Sequence, residues 1–571
     1  MELAENISNK EKGKPDIKPE ICKHNKPLTK IRKLQNIAKT GFVTSLDEFA
    51  QNSTLHGLRY IVDRTLSYIE KLFWLIVVIA SITMCSLLIH NVWIKWQNSP
   101  IIITMDEKLV PVDSVPYPSL TICPQIKIKD NPFKFQADLG YYDDIIWNVY
   151  NETSDQIMLS EFSDIALVCD DDLRGNIAKS QISNNTVNID SILKVALDFE
   201  DIFESCYWNN NPTSCKSLFQ KVLIREGVCF TTNALGADEI IRTENVMNRL
   251  FLSDKNYRDN LSALYPIRGS ANDALAEFVI TLRENAEYED KSCKRYYTGF
   301  VVYLQNPADM PQALIQPYKV VTNEIMSLAL KFDTVSTSDD LKSYPIQTRQ
   351  CFFPDEPYLQ FFLTYTESNC RMECFTNYTK QLCGCVAFYM PRDNATRICS
   401  VYYMQCVDIA QILLFGSLHP KKVDQLMYMN SNSYNTMNIS LINNGKEFAR
   451  ACNCLPTCNT VNYEADVMKV QYDFEYYFKA FCNEFKVCDK ENKSYKYAQI
   501  EWIFKQPTFV GMVRSSIFGV TDFIAQCGGL LGLFLGFSFL TVVEIIYYLT
   551  MRFGFIVARK QKLTNVVDKT V

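Results

Sequence analysis

Two apolar stretches near opposite ends of the chain limit what it can fold into. The first, Leu72 to Ile94, has no charged residue and lies between Lys71 and Lys95. A bilayer core of about 30 Å needs about 20 helical residues, so this stretch is long enough to span. Trp74, Trp93 and Trp96 sit near its ends, where amphipathic rings favour the headgroup region. The second stretch, Phe523 to Met551, lies between Asp522 and Arg552 and holds one acid, Glu544. Core helices of soluble domains rarely lack charge over such lengths, so both stretches read as membrane spans.

Charge placement sets an expected topology. Lys10, Lys12, Lys14, Lys18, Lys23, Lys26, Lys30, Arg32 and Lys33 precede the first span, and Arg552, Arg559, Lys560 and Lys562 follow the second. The positive-inside rule then places both termini in the cytoplasm. This gives an N-terminal region 1–71, a span 72–94, an outer domain 95–521, a span 522–551 and a tail 552–571. The formal net charge of -6 argues against nucleic-acid binding.

Cysteine usage gives a second line of argument. Of 21 cysteines, Cys22 falls in the N-terminal region and Cys85 and Cys527 in the spans, and the rest lie between Cys123 and Cys488. An even set in an oxidising compartment reads as a disulfide framework. Zinc sites would need pairs such as Cys383 and Cys385, whose spacing is tighter than the usual C-x2-4-C. Sequons headed by Asn151, Asn184, Asn260, Asn377, Asn394, Asn438 and Asn492 are candidate glycosylation sites in the outer domain. Two more, at Asn6 and Asn52, fall on the inner side, so the sequons carry no weight for topology.

The outer domain reads as α+β. Leu120–Cys123 and Phe300–Leu304 suit strands, and Ala274–Glu284, Asn323–Phe332 and Gln471–Cys482 suit helices. Cysteines crowd residues 351–458, a region expected to be shaped by cross-links rather than a large core.

The second span carries the chemistry. Gly528, Gly532 and Gly536 are four apart and form a small-residue stripe that allows close backbone approach. Taken alone, the glycines fit a helix-packing interface. Glu544 shifts the reading, because an ionisable group inside a span usually faces water or a bundle interior and marks an ion path. Repeated around an axis, it forms an acidic ring that attracts cations. Gly536-Phe537-Ser538 lies two turns earlier, where glycine weakens the helix and carbonyls plus a hydroxyl suit a hard cation such as sodium. Asp522 stands at the outer mouth, either attracting cations or as a solvated acid at a helix end.

In this setting the residues resemble the degenerin/epithelial sodium channel superfamily, and within it the insect pickpocket branch. Ser53-Thr-Leu-His56-Gly57 resembles the family's His-Gly gating motif, and Tyr117-Pro-Ser-Leu-Thr-Ile-Cys123-Pro its entry into the outer domain. Cys370, Cys374, Cys383 and Cys385, followed by Cys452, Cys454 and Cys458, resemble its thumb, and Gly536-Phe537-Ser538 its Gly-x-Ser selectivity filter. The resemblance implies a hand-like outer domain and a homo- or heterotrimer with related subunits, embedded in the plasma-membrane bilayer. It implies no cofactor, with sodium as the permeant ion, and amiloride sensitivity.

It also implies the pairs Cys351–Cys458, Cys370–Cys454, Cys374–Cys452, Cys383–Cys406, Cys385–Cys399, Cys123–Cys229 and Cys206–Cys215. It leaves Cys169, Cys293, Cys482 and Cys488 unassigned. Ala525 falls at the degenerin position, where bulky side chains favour open pores, and Gln526 stands where acid-sensing members carry an acid. His56 read without the resemblance is a buried, satisfied histidine, and Asp170-Asp171-Asp172 a solvated acidic turn. Only His419 among four histidines lies clearly in the outer domain, so a histidine pH switch has little material.

Three rival readings exist. An ATP-gated two-span trimer would carry nucleotide-binding lysines and lack the filter. A non-conducting receptor-like subunit would use its glycines for packing alone. A membrane-tethered enzyme would need a motif such as G-x-S-x-G, H-E-x-x-H or a P-loop, and none is found. The stimulus that would open a channel is not legible in these residues.

Overall fold

In the computed structural model the described residues are 26–98, 101–129, 156–179, 187–246, 267–269, 278–291, 293–294, 298–312, 316–416, 445–474, 476–477, 480 and 495–570. The chain divides into a helical unit, residues 1–100 with 516–571, and an α+β unit, residues 101–515.

In the helical unit, the helix Tyr68–Gln97 contains the first apolar stretch and is long and apolar enough to cross a membrane. It opens on a capping box in which the Glu70 carboxylate accepts from the Ser67 backbone N–H at 2.8 Å. At its far end Trp96 stacks on Phe523, centroids 4.9 Å apart, and Trp93 meets the same ring edge-on.

The second apolar stretch is not one helix, which corrects the continuous span expected over 522–551. Helix Val520–Leu535 ends at Gly536, and helix Phe539–Tyr547 begins after Ser538, continuing through a π-turn at Tyr548–Arg552 into helix Phe553–Thr570. Gly536 takes φ +65°, the left-handed conformation glycine adopts without penalty. Phe537 N–H donates to Leu531 O and Gly536 N–H to Gly532 O, the paired bonds of a Schellman stop. Ser538 then caps the next helix: its hydroxyl accepts from Thr541 N–H at 3.3 Å while Ser538 N–H donates to Thr541 Oγ1 at 3.1 Å. A stop signal and a start signal three residues apart produce the break.

The α+β unit is built on two sheets. One runs β1 (Ile101–Pro111), β13 (Thr508–Ser516), β10 (Glu324–Thr337), β12 (Tyr495–Phe504), β7 (Phe278–Asn285), β3 (Phe203–Trp208) and β4 (Asn211–Thr213), with β11 (Thr460–Gln471) pairing antiparallel to β10. The other runs β5 (Gln220–Ile224), β6 (Gly227–Thr232), β2 (Ser119–Pro124), β8 (Phe300–Gln305) and β9 (Tyr318–Val320). An aromatic and aliphatic core including Phe230, Phe278, Ile280, Leu328 and Trp502 joins residues from both sheets.

Two helix expectations are overturned here. Asn323–Phe332 falls on β10, and the described part of Ala274–Glu284 is strand β7. The first is rich in good helix formers, yet Met326, Leu328, Leu330 and Phe332 are all buried, a period of two. β10 pairs antiparallel with β11 and parallel with β12, and this tertiary pairing outweighs local propensity. Phe278, Ile280 and Leu282 alternate in the same way in β7. In Gln471–Cys482 the described Phe474, Tyr476, Tyr477 and Ala480 are helical.

Helices Glu367–Cys383, Val401–Phe415 and Gly445–Cys452 form the cross-linked region. Cys383–Cys406 ties the first to the second, and Cys374–Cys452 and Cys370–Cys454 tie the first to the third and its following turn. Cys385–Cys399 and Cys351–Cys458 complete the nest. With Cys123–Cys229 and Cys206–Cys215, these coincide with the pairs implied by the resemblance. The eighth bond, Cys169–Cys293, joins two cysteines the sequence left unassigned. Cys22, Cys482, Cys488 and His419 lie outside the described residues.

Glu284 on β7 is 6% exposed, and burial pushes its carboxyl up to about 7, against the lowering pull of the Gly299 backbone N–H and Lys496. The native state therefore holds a proton that the unfolded chain has already released once the pH exceeds the ordinary carboxyl value. Stability falls as pH rises from about 4.5 to about 7. Glu284→Gln is expected to raise the unfolding midpoint of the full chain at pH 8, by up to about 3 kcal/mol of stability, with the gain vanishing near pH 4.5. Thermal unfolding of both proteins across that range checks it.

Candidate permeation and gating site

The break in the second apolar stretch meets the segment that precedes the first span. Helix Lys26–Asn52 ends as Ser53 N–H donates to Phe49 O at 2.7 Å, and Leu55 N–H donates to Ser53 Oγ at 3.2 Å. The segment then turns at Gly57, whose φ is +88° and where an added Cβ would lie 2.6 Å from Val78 Cγ2. Only glycine fits both the conformation and the space.

This turn sets His56 against the break. His56 N–H donates to Leu535 O at 3.0 Å, filling one of the acceptor positions that a helix C-terminus leaves open. A Cβ on Gly536 would stand 2.4 Å from His56 Nδ1, so the glycine is required by contact as well as by φ. His56 is exposed within the chain, which corrects the reading of it as a buried histidine. Its backbone holds the helix end, and its ring lies against the glycine.

Thr54, two residues earlier, reaches the following helix. Its hydroxyl lies 2.8 Å from Thr541 Oγ1 and donates to Glu544 Oε2 at 3.2 Å, and its N–H donates to the same carboxylate oxygen at 3.3 Å. Thr541 is fully buried, and its hydroxyl also contacts Ser538 Oγ at 3.2 Å. A chain of polar contacts thus runs from Glu544 through Thr54 and Thr541 to Ser538. Further along, the Glu48 carboxylate pairs with Arg552 at 2.7 Å, and the Ser45 hydroxyl donates to Tyr548 O at 2.7 Å beside the π-turn.

The structure therefore brings together His56, Gly536, Ser538 and Glu544, with Gly57 shaping the approach and Phe537 inside the break. The other named residues stand apart. Asp522 caps its helix by accepting from Gly519 N–H at 2.9 Å, the helix-end role left open by the sequence. Ala525 and Gly528 are exposed, and a Cβ on Gly528 would meet no atom within 4 Å. A Cβ on Gly532 would contact only Phe537 O, at 3.8 Å. Within one chain, the glycine stripe packs against nothing beyond its own break.

Thr54, Thr541, Glu48 and Arg552 were not singled out from sequence. Thr541 carried a signal, since Ser538-x-x-Thr541 follows the spacing of a capping box. Nothing local points to Thr54 as the partner of a residue 490 positions later. Asn394 is exposed in a turn and Asn377 half-buried on helix Glu367–Cys383, and the other five outer-domain sequons fall outside the described residues. Among the described residues, no group of three or more His, Cys, Asp or Glu side chains is disposed to hold a metal ion.

Two apolar terminal elements, a disulfide-rich α+β unit between them and a second element broken at Gly-x-Ser define a class of membrane channel subunit. Residues 49–548 match the family model described as amiloride-sensitive sodium channel. The chain belongs to this family, the degenerin/epithelial sodium channel superfamily. It is 27% identical to Pickpocket protein 28 of Drosophila melanogaster over 521 residues, 88% of this chain and 78% of the relative. It is 22% identical to the bile acid-sensitive ion channel of Homo sapiens, covering 89% and 86% of the two chains. It is 20% identical to acid-sensing ion channel 1 of Gallus gallus, covering 89% and 84%.

Gly536→Ala meets two penalties, positive φ and the His56 ring. It is expected to abolish whatever current the assembled channel carries, and adding His56→Ala is expected to restore part of it by removing the ring clash. Whole-cell current normalised to surface protein checks both variants.

Proposed function

We propose that this chain is a pore-forming subunit of a sodium-permeable, amiloride-sensitive cation channel in the plasma membrane, with both termini cytoplasmic. The observation that carries the reading is the break at Gly536–Ser538 with the His56–Gly57 segment docked against it. An unbroken helix presents only side chains to a pore, since its carbonyls are consumed internally. A break places backbone carbonyls and the Ser538 hydroxyl at one level, ligands suited to a hard cation.

Three copies around an axis, identical or mixed with related subunits, would bring three such breaks together. The exposed glycine face of Val520–Leu535 supports this, because small residues let neighbouring helices approach closely. The permeant ion is sodium, and no cofactor takes part. Glu544 adds a carboxylate two turns beyond the break, held by Thr54 rather than projecting as an independent acidic ring. The N-terminal segment thereby becomes part of the filter's support, so a shift of that segment reaches the pore directly.

Expression of the chain with Ala525 replaced by Phe is expected to give an inward sodium current blocked by amiloride. Changing Ser538 to Ala in that background should alter the ratio of sodium to potassium permeability. Voltage clamp under bi-ionic conditions measures both. Surface protein without current, alone and with related subunits co-expressed, would assign the chain a non-conducting role.

A further inference from the structure

The α+β unit contains a charged cleft of about 350 Å³ that the permeation reading does not use. Its frame is the Cys169–Cys293 disulfide, where Asp170 N–H donates to Cys293 O at 2.8 Å, together with the tight turn at Arg225-Glu226 between β5 and β6. Asp170, Asp171, Arg174, Arg225, Glu226 and Lys294 line it, three acids and three bases.

Depth separates the two signs. Behind the lining, the Lys127 side chain is 2% exposed and pairs with Glu226 at 3.2 Å. The Arg174 side chain is 10% exposed, and its carboxylate partner Asp171 is 78% exposed. Lys294 bridges Asp170 at 3.1 Å and Glu226 at 3.5 Å, and Arg225 pairs with Asp408 at 2.7 Å. Two of the three residues in the Asp170-Asp171-Asp172 run are thus ion-paired, which corrects their reading as a solvated acidic turn. Tyr389 Oη is buried without a hydrogen-bond partner among the described residues, and it feels the charges of Arg225, Asp408 and Arg174.

Arg174 is the exception in this network. A largely buried guanidinium is matched by a carboxylate at the surface, and exposed pairs of that kind contribute only about 0–1 kcal/mol. Burial, with Arg225 adding to the effect, pushes the Arg174 guanidinium below its ordinary value, so its charge is under-compensated. A ligand carboxylate offers it the planar two-oxygen partner that a guanidinium accepts best. The displaced Asp171 and its neighbour Asp170 at the rim then face any cationic group the ligand carries. The lining as a whole is neutral and the volume suits a small molecule.

We infer that this cleft binds a small extracellular zwitterion of amino-acid size, its carboxylate inward on Arg174 and Arg225 and its ammonium outward on Asp170 and Asp171. The competing reading is a purely structural salt-bridge network, which predicts no ligand.

The test uses the purified full chain in detergent at constant ionic strength, with thermal unfolding as readout and L-glutamine, acetate and methylammonium as separate probes. L-glutamine at up to about 30 mM is expected to raise the midpoint by about 2 °C or more in a saturable way, since a ligand that binds only the folded state stabilises it. Acetate or methylammonium alone should give less than half that rise. Arg174→Gln should remove the response. Asp171→Asn alters an exposed side chain the fold tolerates, and it should raise the glutamine concentration for half effect by about threefold or more. No response to glutamine, an equal response to acetate alone, or an unchanged Asp171→Asn response each overturns the inference.

Discussion

The hydrogen bond from His56 N–H to Leu535 O is the contact on which the membrane unit depends. A helix that stops inside a bilayer leaves carbonyls that cost several kcal/mol each if unsatisfied, because lipid offers no donor. The Schellman bonds at Gly536 and Phe537 satisfy part of that demand, and the N-terminal segment satisfies more. The next helix can then begin at Ser538 only because Thr541 caps it reciprocally. Termination, external donor and restart form one arrangement. The segment before the first span is therefore a structural component of the second.

The same arrangement explains why small residues occur where they do. Gly57 and Gly536 both have positive φ, and both are pressed by a neighbour, Val78 and His56 respectively. Any side chain at either position would push the segment off the break. Thr54 and Thr541 add a buried hydroxyl pair to that contact and reach Ser538 on one side and Glu544 on the other. A buried polar network of this kind is costly when half-satisfied and specific when complete. The Glu48–Arg552 pair and the Ser45–Tyr548 hydrogen bond extend the docking to the π-turn.

Much of this was legible in the sequence, for identifiable reasons. A charge-free run such as Leu72–Ile94 has few alternatives to a membrane helix, and cysteines confined to one region mark a disulfide framework. Gly536 announced a weak point because glycine is poor in a helix interior. What stayed hidden depends on tertiary pairing. β10 reads as a helix by composition, since Glu, Met, Leu, Ala and Lys all favour one, and only its position between β11 and β12 makes it a strand. The contact of Thr54 with Glu544 spans nearly the whole chain, and no local pattern encodes it. The unpaired Cys169 and Cys293 were individually visible, but their partnership needed the fold.

The central claim is that Thr54 and Thr541 act as a single unit that shapes the filter. The most direct test is the sodium-to-potassium reversal potential for Thr54→Val, Thr541→Val and the double variant, all in an open-gate background. If the hydroxyl pair is one unit, each single variant shifts the reversal potential and the double variant shifts it no further than the larger single. Shifts that add, or single variants that leave selectivity unchanged, would contradict the account.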